Sequence, residues 1–208
     1  MQAIAERIRS GTTLIAIDAP LGWPDGLRDA LHEHRAGEVV AVPKDEMLRR
    51  LSDRRLRSAG LSPLEVGADR IARAAHEAAT LIAELRTLSA ERLPLLWSCE
   101  TGMSGVIEVY PAATLKRHGI ESSGYKKPDA TAQRFRIATA CEARVTGVLD
   151  RVGASADEFD ACLCLLAAAD FMEGRCEPPP SKCETGVRVH FPLTTLSGPL
   201  PGAESNCC

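Results

Sequence analysis

Hydrophobic positions along this chain change period several times, and each change marks an element. Thr13, Leu14, Ile15, Ala16 and Ile17 run without alternation into Asp18 and a Pro/Gly turn, which predicts a short buried strand over 13–18. Ile71, Ala75, Ala78, Ile82 and Leu85 recur at three- and four-residue spacing, which predicts a helix over 67–90. Two further apolar runs, 94–98 and 105–110, read as strands, the second carrying Glu108. Between these lie a short helix at 27–35, a brief extended piece at 38–42 and a basic helix over 44–59 that Gly60 ends. After Pro111 a short helix reaches His118, a polar loop follows through Ser122, Gly124, Tyr125, Lys126 and Lys127, and 131–148 is helical by composition.

The last helix is the most sharply marked. Ser155 followed three residues later by Glu158 is a capping box ahead of an apolar run. Residues 161–169 are apolar on nearly every face, which predicts a helix covered by protein on most sides, meeting the sheet through Phe159, Leu163 and Leu166. Asp160 then enters the edge of a dry environment. Pro178, Pro179 and Pro180 close this element, 187–191 reads as an edge strand, and the Gly/Pro/Ser-rich end after Ser197 as a disordered tail. There is no internal repeat. The length suits a single domain.

Composition narrows this picture only slightly. With 208 residues, 45% hydrophobic and 25% charged, the chain has an ordinary soluble balance. A net charge of -3 gives no global basic footprint, so any nucleic-acid contact has to come from a local cluster. The eight cysteines lack C-x-x-C spacing and two sit inside the apolar helix, so they read as reduced thiols rather than zinc ligands. Residues 1–10 form an amphipathic helix whose Glu6, Arg7 and Arg9 rule out a signal-peptide core. No run approaches the roughly 18 apolar residues of a membrane span, and the terminal Cys-Cys is read as frayed tail, not lipid anchor. A cytoplasmic location without membrane partners is the expectation.

Carboxylates are the candidate chemistry. Asp18 stands where a strand gives way to a loop, a position that in open α/β sheets faces the ligand crevice, or it caps the following turn. Glu108, flanked by Ile107 and Val109, either points to a solvent face or is buried with a partner. Asp157 complements the helix dipole, whereas Asp160, one turn further in, repels it at three-residue spacing unless a metal ion, Arg or Lys lies between. Arg49, Arg50, Arg54, Arg55 and Arg57 are a solvated helix face or a phosphate-contacting surface, and Lys126 on its loop is a second site for a phosphate or carboxylate. No G-x-S-x-G, H-E-x-x-H, G-x-x-x-x-G-K-[ST] or G-x-G-x-x-G is present, which sets aside serine hydrolases, zinc proteases and nucleotide cradles of the usual kind.

Ile17-Asp18-Ala19-Pro20-Leu21-Gly22, Ser52-Asp53-Arg54, Ile107-Glu108-Val109-Tyr110-Pro111 and Asp157-Glu158-Phe159-Asp160-Ala161, in this order, resemble the domain-of-unknown-function family four-two-nine, described as predicted nucleases of ribonuclease-H-like fold. The resemblance spans about Thr12 to Pro192. It implies an α/β fold, a mixed sheet flanked by helices in a single domain over 1–192 with 193–208 as tail, with Asp18, Glu108, Asp157 and Asp160 as catalytic acids and Asp18, Glu108 and Asp160 holding one or two Mg²⁺ or Mn²⁺ ions. Asp53, Asp69 and Arg70 match further recurrent polar positions, and Arg54, Arg70 and Lys126 are the candidates for holding substrate. The function implied is metal-dependent hydrolysis of phosphodiesters in nucleic acid; the alternative is a non-catalytic binding or regulatory protein of the same fold. An actin-like ATPase fits less well for want of glycine-rich phosphate loops. Family members open with a Gly-x-Asp strand and hairpin strands ahead of the first motif. Here residues 1–12 precede the first strand without them, which predicts weak metal binding, little cleavage, and an open sheet edge for a partner or a second copy to cover.

Overall fold

Unbroken β-branched and aliphatic runs make the centre of the molecule, because only a strand covered on both faces tolerates them. In the computed structural model, which describes residues 1–32, 34–67, 69–96, 98 and 102–176, those runs are β1 (Leu14–Ile17) and β2 (Gly105–Glu108). They pair in parallel, Leu14 opposite Gly105 and Ile17 opposite Glu108. A third segment adds to the far side of β2 through a single parallel bridge, Leu95 to Val106, so the predicted strand at 94–98 shrinks to one rung. Gly105 permits that approach: a Cβ there would stand 2.5 Å from the Leu96 Cγ. The chain is thus a mixed α/β protein with a small parallel sheet.

Helices cover both faces. Leu14 and Ala16 turn to the same side as Ile107 and Val109, where Cys164, Ala167 and Phe171 of α8 (Ala156–Met172) pack. Ile15 and Ile17 turn the other way with Val106, against Ile8 of α1 (Gln2–Ser10) and Ile82 and Leu85 of α5 (Asp69–Ser89). Beyond α8 lies a second core. Phe159, Leu163 and Leu166 do not reach the sheet as expected; they pack on Leu115 of α6 (Pro111–Arg117) and Ile137, Ala138 and Cys141 of α7 (Thr131–Cys141). A helix apolar on nearly every face is therefore the wall between two cores, although Leu165 and Met172 stay exposed. Its end is tied down by the buried carboxylate of Asp170, which meets His118 Nε2 at 2.8 Å, Arg175 at 2.8 Å and Arg144 at 3.3 Å.

Several helices differ in length from their sequence pattern, each for a local reason. α2 spans Asp25–Leu31, starting directly after Pro24. Residues 38–42 form no strand, and Val39 is exposed. The basic stretch at 44–59 is two helices, α3 (Lys44–Leu48) and α4 (Leu51–Ser58), because the Asp53 carboxylate accepts the Arg50 backbone N–H and restarts the helix there. α7 stops at Cys141 because the Glu142 carboxylate accepts the N–H groups of Gly147 and Leu149, at 2.7 and 2.9 Å, and so wraps the loop around itself. Gly147, at φ 90°, supplies the left-handed turn that this wrapping needs. A 3₁₀ turn, Leu149–Arg151, then leads to the Ser155 cap. The expected edge strand at 187–191 and the tail lie outside the described residues, as do Trp97 and Cys99.

Candidate functional site

Parallel strands deliver their last residues to one end of the sheet, and the pleat sends neighbouring carboxylates to opposite sides there. Glu108 follows Val106 toward the α1/α5 side. Arg50, at the start of α4, meets it with two parallel bonds, Nη1 to Oε2 and Nη2 to Oε1, both 2.8 Å. Asp53 grips the same guanidinium through Nε at 3.0 Å and Nη2 at 2.9 Å, and the Leu21 N–H donates to Glu108 at 2.8 Å. All three side chains are buried. Burial pushes the Glu108 pKa upward against the pull of Arg50, and Arg50 is held above its ordinary value because Glu108 and Asp53 outweigh its own desolvation. The fork geometry suits this arrangement, since guanidinium and carboxylate match in plane and spacing. Glu108 is thus the buried, partnered carboxylate of the two alternatives its flanking residues left open.

Asp18 follows Leu14 and Ala16 toward the α8 side and finds a different set of partners. Lys126 Nζ lies 3.9 Å from its Oδ2 and forms a tight ion pair with Asp160 Oδ2. The Tyr125 hydroxyl donates to Asp160 Oδ1 at 2.5 Å, and its ring rests against Phe159 in the α7/α8 core, centroids 6.0 Å apart. Arg134 of α7 fixes this loop by donating to the Tyr125 and Lys127 carbonyls. Desolvation raises the Asp18 pKa to about 6; Lys126 opposes this, while Asp160, Asp157 and Glu108 add to it. A third of the Asp18 side chain nevertheless remains open to water, 34% by area. Lys126 is held above its ordinary value because Asp160 and Asp18 more than offset its desolvation, and Tyr125 is raised by burial and by Asp160. Cys164 sits beside Asp18, its thiol pushed up by burial, which makes it an inert core residue.

Between the two arms stands Tyr110, its hydroxyl pKa raised by desolvation, with Asp18 and Asp53 adding to the rise against Lys126. Asp18, Glu108, Asp53, Arg50, Tyr110 and Lys126 line one cavity of ≈ 360 Å³, whose remaining wall is mostly apolar and includes Leu56, Pro63, Val66 and Ile71. Asp160 reaches it only through Lys126. Of the other residues singled out in the sequence, Asp157 is exposed on the first turn of α8, Arg54 lines a neighbouring cavity between α2, α3 and α4, and Arg70 lines a third with Arg49. The Asp69 side chain lies outside the described ones. Sequence reasoning passed over Arg50 as one of a basic run and Tyr125 as a loop residue; the signal for the first was Asp53 three residues on, the position of a cap.

A family model, Protein of unknown function (DUF429), matches residues 1–185. The chain belongs to this family. The match begins ahead of Thr12 and ends short of Pro192, so the helix α1 lies within it. No curated protein and no solved structure matches significantly. The DUF429 site therefore has to be read from its own chemistry. Two carboxylates, Asp18 and Asp160, turn to one ammonium. A third, Glu108, is committed to Arg50. Among the described residues no group of three or more His, Cys, Asp or Glu side chains is disposed to hold a metal ion, and no helix is long and apolar enough to cross a membrane.

Proposed function

We propose that this DUF429 chain is a divalent-metal-dependent phosphodiester hydrolase of ribonuclease-H-like type, acting at the carboxyl end of β1. The observation that carries the reading is that Asp18 and Asp160 converge on a single cationic position, that of the Lys126 ammonium, beside the ≈ 360 Å³ cavity. Mg²⁺ keeps several of its waters and needs only one or two protein carboxylates together with substrate phosphate, so this pair fits it although no larger cage is present among the described residues. Glu108 is left out of the ligand set, because Arg50 and the Leu21 N–H take its oxygens.

In this reading Asp18 and Asp160 would hold Mg²⁺ or Mn²⁺, with Asp157 adding charge from one turn away. The ion supplies Lewis-acid polarisation of a phosphoryl oxygen. Tyr125 fixes the orientation of Asp160 through its hydroxyl, and Phe159 fixes Tyr125. Lys126, on an exposed loop, is long enough to leave the carboxylates and neutralise a substrate phosphate. The Arg50–Glu108–Asp53 unit holds α4 against the sheet and so sets the cavity wall. Nucleic acid and small phosphodiesters both present the required group.

Cleavage of single- and double-stranded nucleic acid and of bis(p-nitrophenyl) phosphate under a Mn²⁺ titration tests this. The expected result is weak Mn²⁺-dependent cleavage lost in Asp18→Asn and Asp160→Asn, with Mn²⁺ affinity falling below about pH 6 as Asp18 takes up its proton. Lys126→Gln should bind Mn²⁺ more tightly, since its ammonium competes for the same oxygens. Neither cleavage of any of these substrates nor calorimetric Mn²⁺ binding would leave the second reading, a non-catalytic ligand-binding member. That reading is favoured by the direct pairing of Glu108 with Arg50 and of Asp160 with Lys126.

A further inference from the structure

The cavity beside Asp18 is chemically two-sided. One end carries Asp18, Tyr110 and Lys126; the other is made by Leu56, Pro63, Leu64, Val66, Ile71 and Ala74. The proposed hydrolysis uses the first end and gives the second no task. Leu56 comes from α4, Ile71 and Ala74 stand three apart on one face of α5, and Pro63, Leu64 and Val66 come from the segment between the two helices. Leu56 and Val66 are buried, whereas Ile71 and Ala74 are half-buried and Leu64 is 58% exposed. An aliphatic wall left partly open beside a few polar groups is the usual make-up of a small-molecule site, and ≈ 360 Å³ lies within the range of about 300–1,000 Å³ that such sites occupy.

Charge speaks against a polymer as the occupant. The cavity has three carboxylates, Asp18, Asp53 and Glu108, against two cations, Arg50 and Lys126, and Asp160 behind Lys126 adds a fourth carboxylate. One divalent ion brings this set to neutrality, so no positive field remains to draw in a polyanion. Both cations are also paired with carboxylates, not set out along a groove that could track a nucleic-acid backbone. We infer that the site takes a small phosphodiester with an apolar substituent, its phosphate at the Asp18 end and the substituent on the wall of Leu56, Ile71 and Ala74. The place of the phosphate rests on the hydrolytic reading above; the preference for an apolar substituent rests on the wall alone. Ile71 and Ala74 are then the residues that set specificity.

Calorimetric titration of dibutyl phosphate, dimethyl phosphate and a decathymidylate into the full chain, with Mn²⁺ and again in EDTA, tests this. The two alkyl diesters carry the same charge and equally poor leaving groups, so they differ in apolar length alone. Dibutyl phosphate should bind at least about tenfold more tightly than dimethyl phosphate, and more tightly than the decathymidylate. Ala74→Phe, which fills the apolar end, and Ile71→Asn, which makes it polar, should each cut the preference to about threefold or less, with Ile71→Leu keeping it. Mn²⁺-dependent cleavage without the preference would leave the hydrolytic reading standing and sink this one; the preference in EDTA without any Mn²⁺ binding would do the reverse. The inference is overturned if dibutyl phosphate gains less than about tenfold or saturates below about 10 mM in neither buffer. It is equally overturned if the decathymidylate binds more tightly, or if a folded Ala74→Phe or Ile71→Asn protein keeps the parental preference.

Discussion

An aspartate that ionises only near pH 6 works against the fold above that pH, and Asp18 is such a residue. Between its ordinary value of 3.8 and about 6, the native state holds a proton that the unfolded chain has released, so stability falls as pH rises through that window. Two pH units correspond to about 3 kcal/mol, and water at a partly exposed side chain reduces this to about 1 kcal/mol. Asp18→Asn is therefore expected to be more stable than the parent by about that amount near pH 7, with the gain gone near pH 4. Urea denaturation at both values measures it, and an equal gain at both would contradict the raised pKa. The opposite sign belongs to Arg50. Arg50→Met strands Glu108 and Asp53 as buried charges and should cost about 3–5 kcal/mol. Adding Glu108→Leu should restore a large part of that loss. A double-mutant cycle showing no coupling between the two positions would mean that the ion pair does not organise α4.

At the scale of elements, α8 shows what a sequence carries and what it leaves open. Ser155 and Glu158 cap each other, with the Ser155 Oγ accepting at 3.2 Å and the Glu158 carboxylate at 3.0 Å, so the start of the helix could be read directly. Its all-round apolarity said that both sides are covered without saying by what. The division into Cys164, Ala167 and Phe171 toward the sheet and Phe159, Leu163 and Leu166 toward α6 and α7 depends on tertiary packing. Leu163→Ala should cost about 2–5 kcal/mol, and a loss below about 0.5 kcal/mol would mean that α7 does not pack as described. The breaks at Arg50 and Glu142 were illegible for a related reason. Asp53 and Glu142 hydrogen-bond to nearby backbone, and such local competition overrides a helical pattern without altering it. Strand ends placed Asp18 and Glu108 at one edge correctly. The pleat, invisible without the register, sent them to different cations.

For the whole molecule the consequence is cooperativity. α8 is shared by two hydrophobic cores, and α5 lies on the far face of a sheet that, among the described residues, consists of two paired strands and one bridge. If the sheet transmits that coupling, no core can open alone: releasing α7 uncovers Phe159 and Leu163, frees Tyr125 from Asp160 and removes one side of the site. Native-state hydrogen exchange separates the possibilities, since slow amides report the free energy of the opening that exposes them. The slowest amides of α5, α7 and α8 are expected to share one opening free energy to within about 1 kcal/mol, with Leu163→Ala lowering all three together. Should α7 exchange through an opening cheaper by about 2 kcal/mol or more while α5 stays protected, the chain is two folding units that meet at α8. Asp160 would then be positioned by the less stable of the two.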